Sequence, residues 1–215
     1  MGSGRFITLE GGEGAGKSTQ ARRLAATLRE RGLQVLVTRE PGGSPGAEEI
    51  RGLLVTGGAG RWSAVSETLL HFAARRDHLE RTVWPALESG VWVISDRFAD
   101  STMAYQGYGL GLNRDIITRL YANVIGKFYP DITLVLDLPA EAGLARAGAR
   151  GAADRYEDMD LEFHRRLRDG FLDIAAHDPR RCAVIDAAGS EEEVAAEILE
   201  AACRRLPIPP PAAGP

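Results

Sequence analysis

The feature that most constrains the fold is a glycine-rich segment at residues 11–18, which matches the pattern G-x-x-x-x-G-K-[ST]. The apolar run Phe6–Leu9 precedes it, and an amphipathic helical pattern follows it. Glycines let successive backbone N–H groups face phosphate oxygens, and a helix opening at Lys17 adds the positive end of its dipole. The segment predicts a strand, a phosphate-binding loop and a helix, with these residues around a nucleotide: Gly11, Gly12, Glu13, Gly14, Ala15, Gly16, Lys17, Ser18 and Thr19.

Two side chains of this loop suit phosphate chemistry. Lys17 can reach the outer phosphates of a nucleotide, and the Ser18 hydroxyl can ligate Mg²⁺. The chain has only two lysines, Lys17 and Lys127, among 26 basic residues. A basic residue placed at random would nearly always be arginine, so a lysine here favours a phosphate loop over a chance glycine-rich turn.

Five short apolar runs predict buried parallel strands. Helical patterns separate them, including Leu69–Leu87, residues 114–125 and a segment with capping-box spacing from Ser190. This alternation predicts an α/β fold, a doubly wound five-stranded parallel sheet with helices on both faces and ligands at the carboxyl ends of the strands. The runs are Phe6–Leu9, Val35–Val37, Val91–Ile94, Ile132–Leu136 and Cys182–Ile185.

Length and composition indicate a soluble single domain. We predict this domain over residues 1–206, followed by a proline-rich, disordered tail at 207–215. A net charge of −4 gives no reason to expect nucleic-acid binding. No apolar run could span a bilayer or act as a signal peptide, and two cysteines are too few for a disulfide framework. The expectation is a cytoplasmic protein that binds neither nucleic acid nor membrane.

A phosphate loop does not by itself distinguish a kinase from a switch GTPase or a motor. The guanine-reading element Asn-Lys-x-Asp is missing from the sequence, because neither asparagine precedes a lysine. Asp96 and Arg97 follow the run Val91–Ile94, so both are expected near the phosphates. Asp96 could hold Mg²⁺ together with Ser18, and Arg97 could bind a second phosphate. The alternative for Arg97 is a structural ion pair with Asp96.

Phosphoryl transfer requires donor and acceptor held in line and negative charge neutralised on the oxygens. Arginines should therefore surround two phosphates. The small, basic segment at 147–156 is expected to form a mobile lid, the alternative being a solvated loop. The candidates are Arg39, Arg51, Arg75, Arg76 and Arg97 in the first half, and Arg146, Arg150 and Arg155 in the lid region.

Four stretches resemble the bacterial thymidylate kinases, and the similarity runs from Phe6 to about Leu206. They are residues 9–19, 38–44 (Thr-Arg-Glu-Pro-Gly-Gly-Ser), 96–107 (Asp-Arg-Phe-Ala-Asp-Ser-Thr-Met-Ala-Tyr-Gln-Gly) and 154–157 (Asp-Arg-Tyr-Glu). The second and third are more specific than the phosphate loop. The resemblance implies a P-loop nucleotide kinase fold and Mg²⁺-dependent transfer of phosphate from ATP to dTMP.

The resemblance also implies roles around the acceptor. Arg97 would bind the acceptor phosphate, joined by Arg39 or Arg51, and Glu13 would lie between the acceptor's sugar hydroxyl and the reacting groups. A carboxylate inside a phosphate loop needs a compensating partner. The other implied acceptor residues are Pro41 in the second stretch, Ser101, Thr102 and Gln106 near the thymine edge, and Tyr105 under the deoxyribose, where it would exclude a 2′-hydroxyl.

In this family a catalytic arginine comes from the phosphate loop or from the lid. Ala15 occupies the loop position here and carries no charge. The resemblance therefore implies that lid arginines clamp the transferred phosphoryl group. The candidates are Arg146, Arg150 and Arg155, with Arg146 or its neighbours also stacking on adenine opposite the loop that contains Asp186 and Ala187.

The family places a thymine-stacking aromatic four residues before a base-contacting arginine. Counting back from Arg75 gives His71, and counting back from Arg76 gives Phe72. We favour Phe72 for stacking, because its ring needs burial, and Arg75 for the polar contact. Both registers remain open at this stage.

Two rival functions remain. One is a kinase for another nucleoside monophosphate or for a deoxynucleoside, and the other is a nucleotide-regulated binding protein that transfers nothing. The acceptor features around Arg97 and Tyr105 argue against the second. Family members form homodimers through helices, and the helix at Leu69–Leu87 could supply that face, although an apolar face more often packs within its own chain.

Overall fold

A computed structural model describes residues 4–58, 60–149 and 155–211 of the chain. Five parallel strands form one sheet in the order β2-β3-β1-β4-β5, which confirms the predicted α/β class. The strand that feeds the phosphate loop lies at the centre. The strands are β1 (Phe6–Glu10), β2 (Val35–Arg39), β3 (Trp92–Asp96), β4 (Ile132–Asp137) and β5 (Cys182–Asp186).

Helices cover both faces of the sheet. Two wide, π-helical segments are continuous with them, because Leu79–Val83 joins α3 to α4 and Met103–Gly109 extends α5. The helices of the described residues are α1 (Lys17–Glu30), α2 (Pro45–Val55), α3 (Ala64–His78), α4 (Trp84–Glu88), α5 (Ala99–Thr102), α6 (Arg114–Val124), α7 (Ala140–Gly148), α8 (Leu161–His177) and α9 (Glu191–Arg205).

The carboxyl ends of the five strands form a charged edge. Every strand continues one or two residues beyond its apolar run and ends on a charged residue: Glu10, Arg39, Asp96, Asp137 or Asp186. The register aligns these ends, since Arg39 and Leu9 both pair with Asp96, and Asp137 pairs with Asp186. A buried sheet thus presents its polar residues where loops and ligands can satisfy them.

Local sequence signals mark the end of α1 and the start of α9, as predicted. Gly32 adopts φ +83° after α1, and the N–H of Leu33 donates to the carbonyl of Leu28 at 3.1 Å, the bond that closes a Schellman motif. At α9, Ser190 and Glu193 form a reciprocal capping box. These caps fix the two helices that flank β1 on one face.

The helix predicted over Leu69–Leu87 runs longer and is not uniform. Helical backbone begins at Ala64, where the Ser63 side chain accepts from the N–H of Ser66 at 3.2 Å, and it continues to Glu88. The wide turn at Leu79–Val83 comes just before Pro85. Proline has no N–H and its ring clashes with the carbonyl four residues earlier, so a wider turn relieves this contact.

Three apolar clusters hold the layers together. The first packs α1 and α9 on one face of the sheet and includes Leu9, Leu24 and Ile198. The second lies on the other face, under α3, the Leu79–Val83 turn and α6, and includes Phe6 and Phe72. The third packs α8 against β4 and the segment at 103–109. Apolar side chains of β1 are therefore covered on both faces of the sheet.

Two residues at the start of the predicted tail contact the body of the protein. Ile208 packs against the cluster of α1 and α9, and Arg31 donates to the carbonyl of Pro209 at 3.1 Å. Burying the apolar side chain of Ile208 stabilises this contact, which a purely polar tail would not gain.

Among the described residues, no helix has the length and apolar character needed to span a membrane.

Candidate active site

A cavity of about 310 Å³ opens at the carboxyl edge of the sheet, beside β1. Four groups of residues line it. They are the phosphate loop and the start of α1 (Glu13, Gly14, Gly16, Lys17, Ser18, Thr19), the end of β2 with α2 (Arg39, Glu40, Pro41, Arg51, Val55), α3 (His71, Arg75), and the region from Asp96 to Gln106 with Tyr156. The cavity thus joins the predicted donor and acceptor sides.

The phosphate loop owes its shape to glycines. Gly14 has φ +68°, and a Cβ there would lie 2.0 Å from the carbonyl oxygen of Gly143 at α7. Gly16 has φ +88° and lies immediately before α1. Any side chain at Gly14 would push the loop off α7, so the close approach requires glycine. The loop reaches the N-terminus of α1, where backbone N–H groups face incoming anions.

Lys17 is buried beneath the loop. Its Nζ donates to the carbonyl of Gly12 at 2.6 Å. Burial lowers the pKa of Lys17 to about 8, and the positive charge of Arg97 acts in the same direction. A desolvated ammonium beside a helix N-terminus interacts strongly with phosphate.

Ser18 and Asp96 meet at the mouth of the cavity. The Ser18 hydroxyl donates to Oδ2 of Asp96, so the predicted pair is brought together from α1 and β3. One hydroxyl and one carboxylate oxygen form a donor set suited to a hard divalent cation such as Mg²⁺. The described residues contain no cluster of three or more His, Cys, Asp or Glu side chains that could hold a metal alone. This pair therefore needs phosphate or water oxygens to complete a coordination shell.

Glu13, Arg97 and Tyr105 form one charged cluster. Arg97 Nη2 donates to both carboxylate oxygens of Glu13, at 3.0 and 3.1 Å, and the Tyr105 hydroxyl donates to the same carboxylate. Burial would raise the pKa of Glu13, but the positive charges of Arg97 and Lys17 lower it to about 2. Arg97 has φ +73°, uncommon for a residue with a side chain and typical of functional sites.

Glu10 is a buried carboxylate close to Arg97 of this cluster, and it was not predicted as a site residue. Its carboxylate accepts from the N–H of Phe98 at 2.7 Å and from the Ser101 hydroxyl at 2.5 Å. Burial, and then the charge of Asp100, raise the pKa of Glu10 to about 8. Glu10 ties the end of β1 to the start of α5, which carries Ser101. Its sequence signal was a single acidic residue directly after an apolar strand.

Arg75 is the most buried cation at the cavity, with 2% of the residue exposed. Its Nε donates to Glu40 at 2.7 Å, and its Nη2 donates to the carbonyl of Phe98 at 3.1 Å and to the Thr102 hydroxyl at 3.0 Å. The buried Nη1 has no hydrogen-bond partner among the described residues. A buried donor without a partner is costly, so this atom is a candidate contact for a ligand acceptor.

Gln106 shows a complementary feature. Its Nε2 donates to Glu67 at 2.7 Å, whereas its buried Oε1 has no partner among the described residues. Gln106 and Arg75 both line the cavity, and each keeps one buried polar atom without a partner among the described residues. Ser101 and Thr102 also line the cavity, as predicted, but their hydroxyls are engaged by Glu10 and Arg75.

Arg39, Pro41 and Arg51 form the outer wall of the cavity. Arg39 Nη2 lies 3.0 Å from Glu48 Oε2, and Arg51 Nη1 donates to the carbonyl of Pro41 at 2.9 Å. Arg39 is therefore paired with a carboxylate, as Arg97 is with Glu13, whereas this bond of Arg51 is to a backbone carbonyl.

The structure separates the two candidates for the stacking position on α3. Phe72 packs in the apolar core beside Phe6 and does not line the cavity, whereas His71 does. Arg76 also faces away, because it pairs with Glu80 at 2.5 Å and donates to the carbonyl of Val124 at 2.7 Å. Four residues make about one helical turn, so His71 and Arg75 share a face. Burial, and then the charge of Arg75, lower the pKa of His71 to about 3.

The lid arginines have different surroundings. Arg146 donates to the carbonyls of Ala187 at 2.9 Å and Ala188 at 3.3 Å. It therefore contacts the loop that follows Asp186 at the end of β5. Arg150 lies outside the described residues. Arg155, the third candidate for the phosphate clamp, is not among the residues that line the cavity. It is buried against Glu67 and the carbonyl of Leu54, because the acidic side chain inside the protein attracts it there.

One cavity thus combines a phosphate loop, an oxygen pair suited to a cation and four arginines, Arg39, Arg51, Arg75 and Arg97. This combination, on a five-stranded parallel sheet, defines a P-loop phosphotransferase of the nucleotide kinase class.

Comparisons with known proteins specify the family. The profile of the thymidylate kinase family matches residues 9–198. The chain is 57% identical to a thymidylate kinase of Caulobacter vibrioides, with 96% of this chain and 99% of the relative covered, and 53% identical to one of Rhizorhabdus wittichii, with 95% and 99% covered. The crystal structure of a thymidylate kinase from Ehrlichia chaffeensis superposes with a TM-score of 0.73 at 38% identity, covering 93% of this chain and 98% of that one. The chain belongs to the thymidylate kinase family and is a kinase.

Proposed function

We propose that this protein transfers the γ-phosphoryl group of ATP to the phosphate of dTMP, giving ADP and dTDP, in one in-line step. The observation that carries the proposal is the shared cavity. Lys17 and Ser18 line it together with Arg75 and Gln106, each of which keeps one buried polar atom without a partner among the described residues. Family membership supports the same acceptor.

On the donor side, the loop N–H groups and Lys17 bind the outer phosphates of ATP. Ser18 and Asp96 would hold Mg²⁺, which when bound neutralises charge on the phosphate oxygens. Arg146 and the loop around Ala187 bind the adenine. Closure of the segment at 147–156, with Arg150 as the remaining candidate clamp, excludes water from the transferred group.

On the acceptor side, Arg97 binds the dTMP phosphate with help from Arg39 or Arg51. Glu13 keeps its charge because of its low pKa and holds Arg97 in place through two hydrogen bonds. Tyr105 packs beside the sugar, where its ring leaves no room for a 2′-hydroxyl. Positioning and charge neutralisation supply most of the rate enhancement, because phosphoryl transfer needs little covalent work from the protein.

The open polar atoms suit thymine. Thymine presents a carbonyl oxygen next to a ring N–H, which complement the Nη1 donor of Arg75 and the Oε1 acceptor of Gln106. Cytosine presents an amino group and an unprotonated ring nitrogen at the same positions, so both contacts would be lost. Leaving buried polar groups unpaired is an effective means of discrimination.

An acceptor panel tests the proposal. With ATP and Mg²⁺ present, ADP release is measured with the monophosphates of thymidine, uridine, cytidine and guanosine. We expect dTMP to give the highest kcat/KM. A preference for any other acceptor would overturn the substrate assignment, and ATP binding without acceptor-stimulated ADP release would overturn the transferase activity.

The placement of His71, and not Phe72, as the residue that stacks on the thymine base gives a separate prediction. Replacing His71 with alanine is expected to raise the KM for dTMP about tenfold, because base stacking contributes about 1–3 kcal/mol. His71→Phe should restore KM to within about threefold of the wild type, since a phenyl ring also stacks. Phe72→Ala should instead lower the free energy of unfolding by about 3–5 kcal/mol. Steady-state kinetics measure the KM values, and denaturant unfolding measures the free energy of unfolding. A larger KM effect at Phe72 than at His71 would contradict this register.

ATP binding should weaken above a pH of about 8. Lys17 has a pKa of about 8 in the free protein, and phosphate favours its charged form. Below this pH the lysine is already protonated, so affinity stays flat. Above it, binding must take up a proton, and affinity falls by up to about tenfold per pH unit. Calorimetry with a non-hydrolysable ATP analogue, from about pH 6.5 to 9.5, measures this slope. An equal slope in Lys17→Ala would assign the effect to another group.

We also propose that the protein is a cytoplasmic homodimer. Three large apolar side chains of α2 and α3 are exposed, Leu53 at 41%, Val65 at 44% and Leu69 at 50%, and α2 packs on α3. Leu69→Glu is expected to give monomers, because a charge in such a face loses its hydration on association. Sedimentation velocity measures the state, and Val184→Glu, an exposed position on β5, is the control. Dimers of unchanged stability in Leu69→Glu would contradict this face.

A further inference from the structure

Glu67 is a buried carboxylate on α3 that neither the sequence analysis nor the proposed chemistry uses. Only 1% of the residue is exposed, and its two oxygens have different partners. Oε1 accepts from the side-chain amide of Gln106 at 2.7 Å, and Oε2 accepts from Nη2 of Arg155. Glu67 therefore links the wall of the acceptor cavity to the C-terminal end of the segment at 147–156.

This position determines how Gln106 is oriented. A carboxylate can only accept hydrogen bonds, so the amide must turn its NH₂ group toward Glu67 and its oxygen away from it. The oxygen that faces away is the buried Oε1 without a partner among the described residues. Gln106 is fully buried, so it cannot turn into solvent to relieve an unfavourable orientation. The charge on Glu67 thus decides which end of the Gln106 amide, the oxygen or the NH₂ group, is turned away from Glu67.

Arg155 secures the carboxylate in turn. The arginine is buried, and its Nε also donates to the carbonyl of Leu54 at 3.1 Å. The next residue, Tyr156, lines the cavity, with its hydroxyl 3.1 Å from Nε2 of His71 and its ring edge-on to Tyr105. Buried ion pairs rarely increase stability over apolar packing, and conformational specificity is one reason to retain them.

We propose that Glu67 is a positioning residue for acceptor choice, which fixes the amide of Gln106 so that the site accepts a ring N–H and rejects a ring nitrogen. The inference rests on the proposed dTMP kinase activity. Arg155 belongs to the same unit, because it balances the charge of Glu67 and holds Tyr156 in the cavity wall. Arg155 thus acts on the acceptor side and not on the γ-phosphate.

The test is the ratio of kcat/KM for dTMP to that for dCMP, measured in the wild type and in Glu67→Gln. The variant has the same shape but no charge, so the Gln106 amide can reverse and present NH₂ to the base. We expect the ratio to fall about tenfold or more, with the KM for ATP within about twofold of the wild type. Glu80→Gln is the matched control, because Glu80 follows α3 but is half-exposed and pairs with Arg76.

The outcomes separate the inference from the function. If the wild type does not phosphorylate dTMP, the proposed function fails. If it does, and Glu67→Gln keeps the dTMP to dCMP ratio within about threefold, the positioning role of Glu67 is overturned. Should Glu67→Gln not fold, Glu67→Asp carries the test, because its shorter carboxylate cannot reach both partners, and the same criterion applies.

Arg155→Met distinguishes the two roles considered for this arginine. A positioning role on the acceptor side predicts a KM for dTMP raised about fivefold or more, with kcat reduced less than KM is raised. Arg155→Lys should recover most of the KM effect, because it restores the charge beside Glu67. A loss in kcat with an unchanged KM for dTMP would return Arg155 to the phosphate clamp and overturn its part in this inference.

Discussion

Lys17→Ala is expected to reduce turnover by about three orders of magnitude while the fold remains intact. Lys17 is the buried cation of the phosphate loop, and removing it deletes a charge from where negative charge develops during transfer. A thousandfold loss corresponds to about 4 kcal/mol of transition-state stabilisation. The measurement is kcat with saturating ATP and dTMP, alongside a circular dichroism melt.

The chain provides its own control for this experiment. Lys127 is the other lysine and is exposed after α6, so Lys127→Ala should keep kcat within about twofold of the wild type. A loss of less than about tenfold in Lys17→Ala, with both variants folded, would show that the loop does not bind the reacting phosphates.

Arg97→Met should produce the second large effect, a loss of about a thousandfold in kcat/KM for dTMP with little change in the KM for ATP. In the proposed complex Arg97 binds the acceptor phosphate through charge-assisted bonds, each of about 1.5–3 kcal/mol, so losing two of them accounts for this size. The same change leaves Glu13 buried without its main cation. Because Arg97 keeps the pKa of Glu13 low, that pKa should rise in the variant.

Arg76→Met is the matched control for Arg97→Met. It removes an arginine that pairs with Glu80 and faces away from the cavity. Acceptor kinetics should change by about twofold at most. If Arg97→Met raised the KM for ATP as much as that for dTMP, Arg97 would belong to the donor side. Equal losses in the two arginine variants would point to general destabilisation.

The sequence predicted the fold well because its main signals are local. Apolar runs, the glycine loop and the caps of α1 and α9 each depend on neighbouring residues, and all five strands formed where expected. The wide turns at Leu79–Val83 and Met103–Gly109 were not predicted, because an extra residue in a turn leaves no distinct pattern in a 3.6-residue period. The second of these turns carries Tyr105 and Gln106, so it orients acceptor-side residues.

The candidate site was predicted less completely, for a physical reason. Lys17, Ser18 and Asp96 follow from a motif and a strand end, which the fold brings together. The buried carboxylates Glu10 and Glu67 act through partners that are distant in sequence, so no local pattern marks them.

The choice between His71 and Phe72 on α3 shows the same limit of prediction from local sequence. Burial alone favoured Phe72, but its ring is buried in the core and not at the cavity. Only the orientation of the whole helix, fixed by packing across the sheet, distinguishes His71 from Phe72.

The most direct test of the central claim follows the transferred group itself. The wild-type protein is incubated with dTMP and ATP whose γ-phosphoryl group is radiolabelled and made chiral with oxygen isotopes. A single in-line transfer predicts label in dTDP equal to the ADP formed, with inversion of configuration at phosphorus. Label released as inorganic phosphate, or retained configuration in dTDP, would contradict direct transfer between the two sides of the cavity.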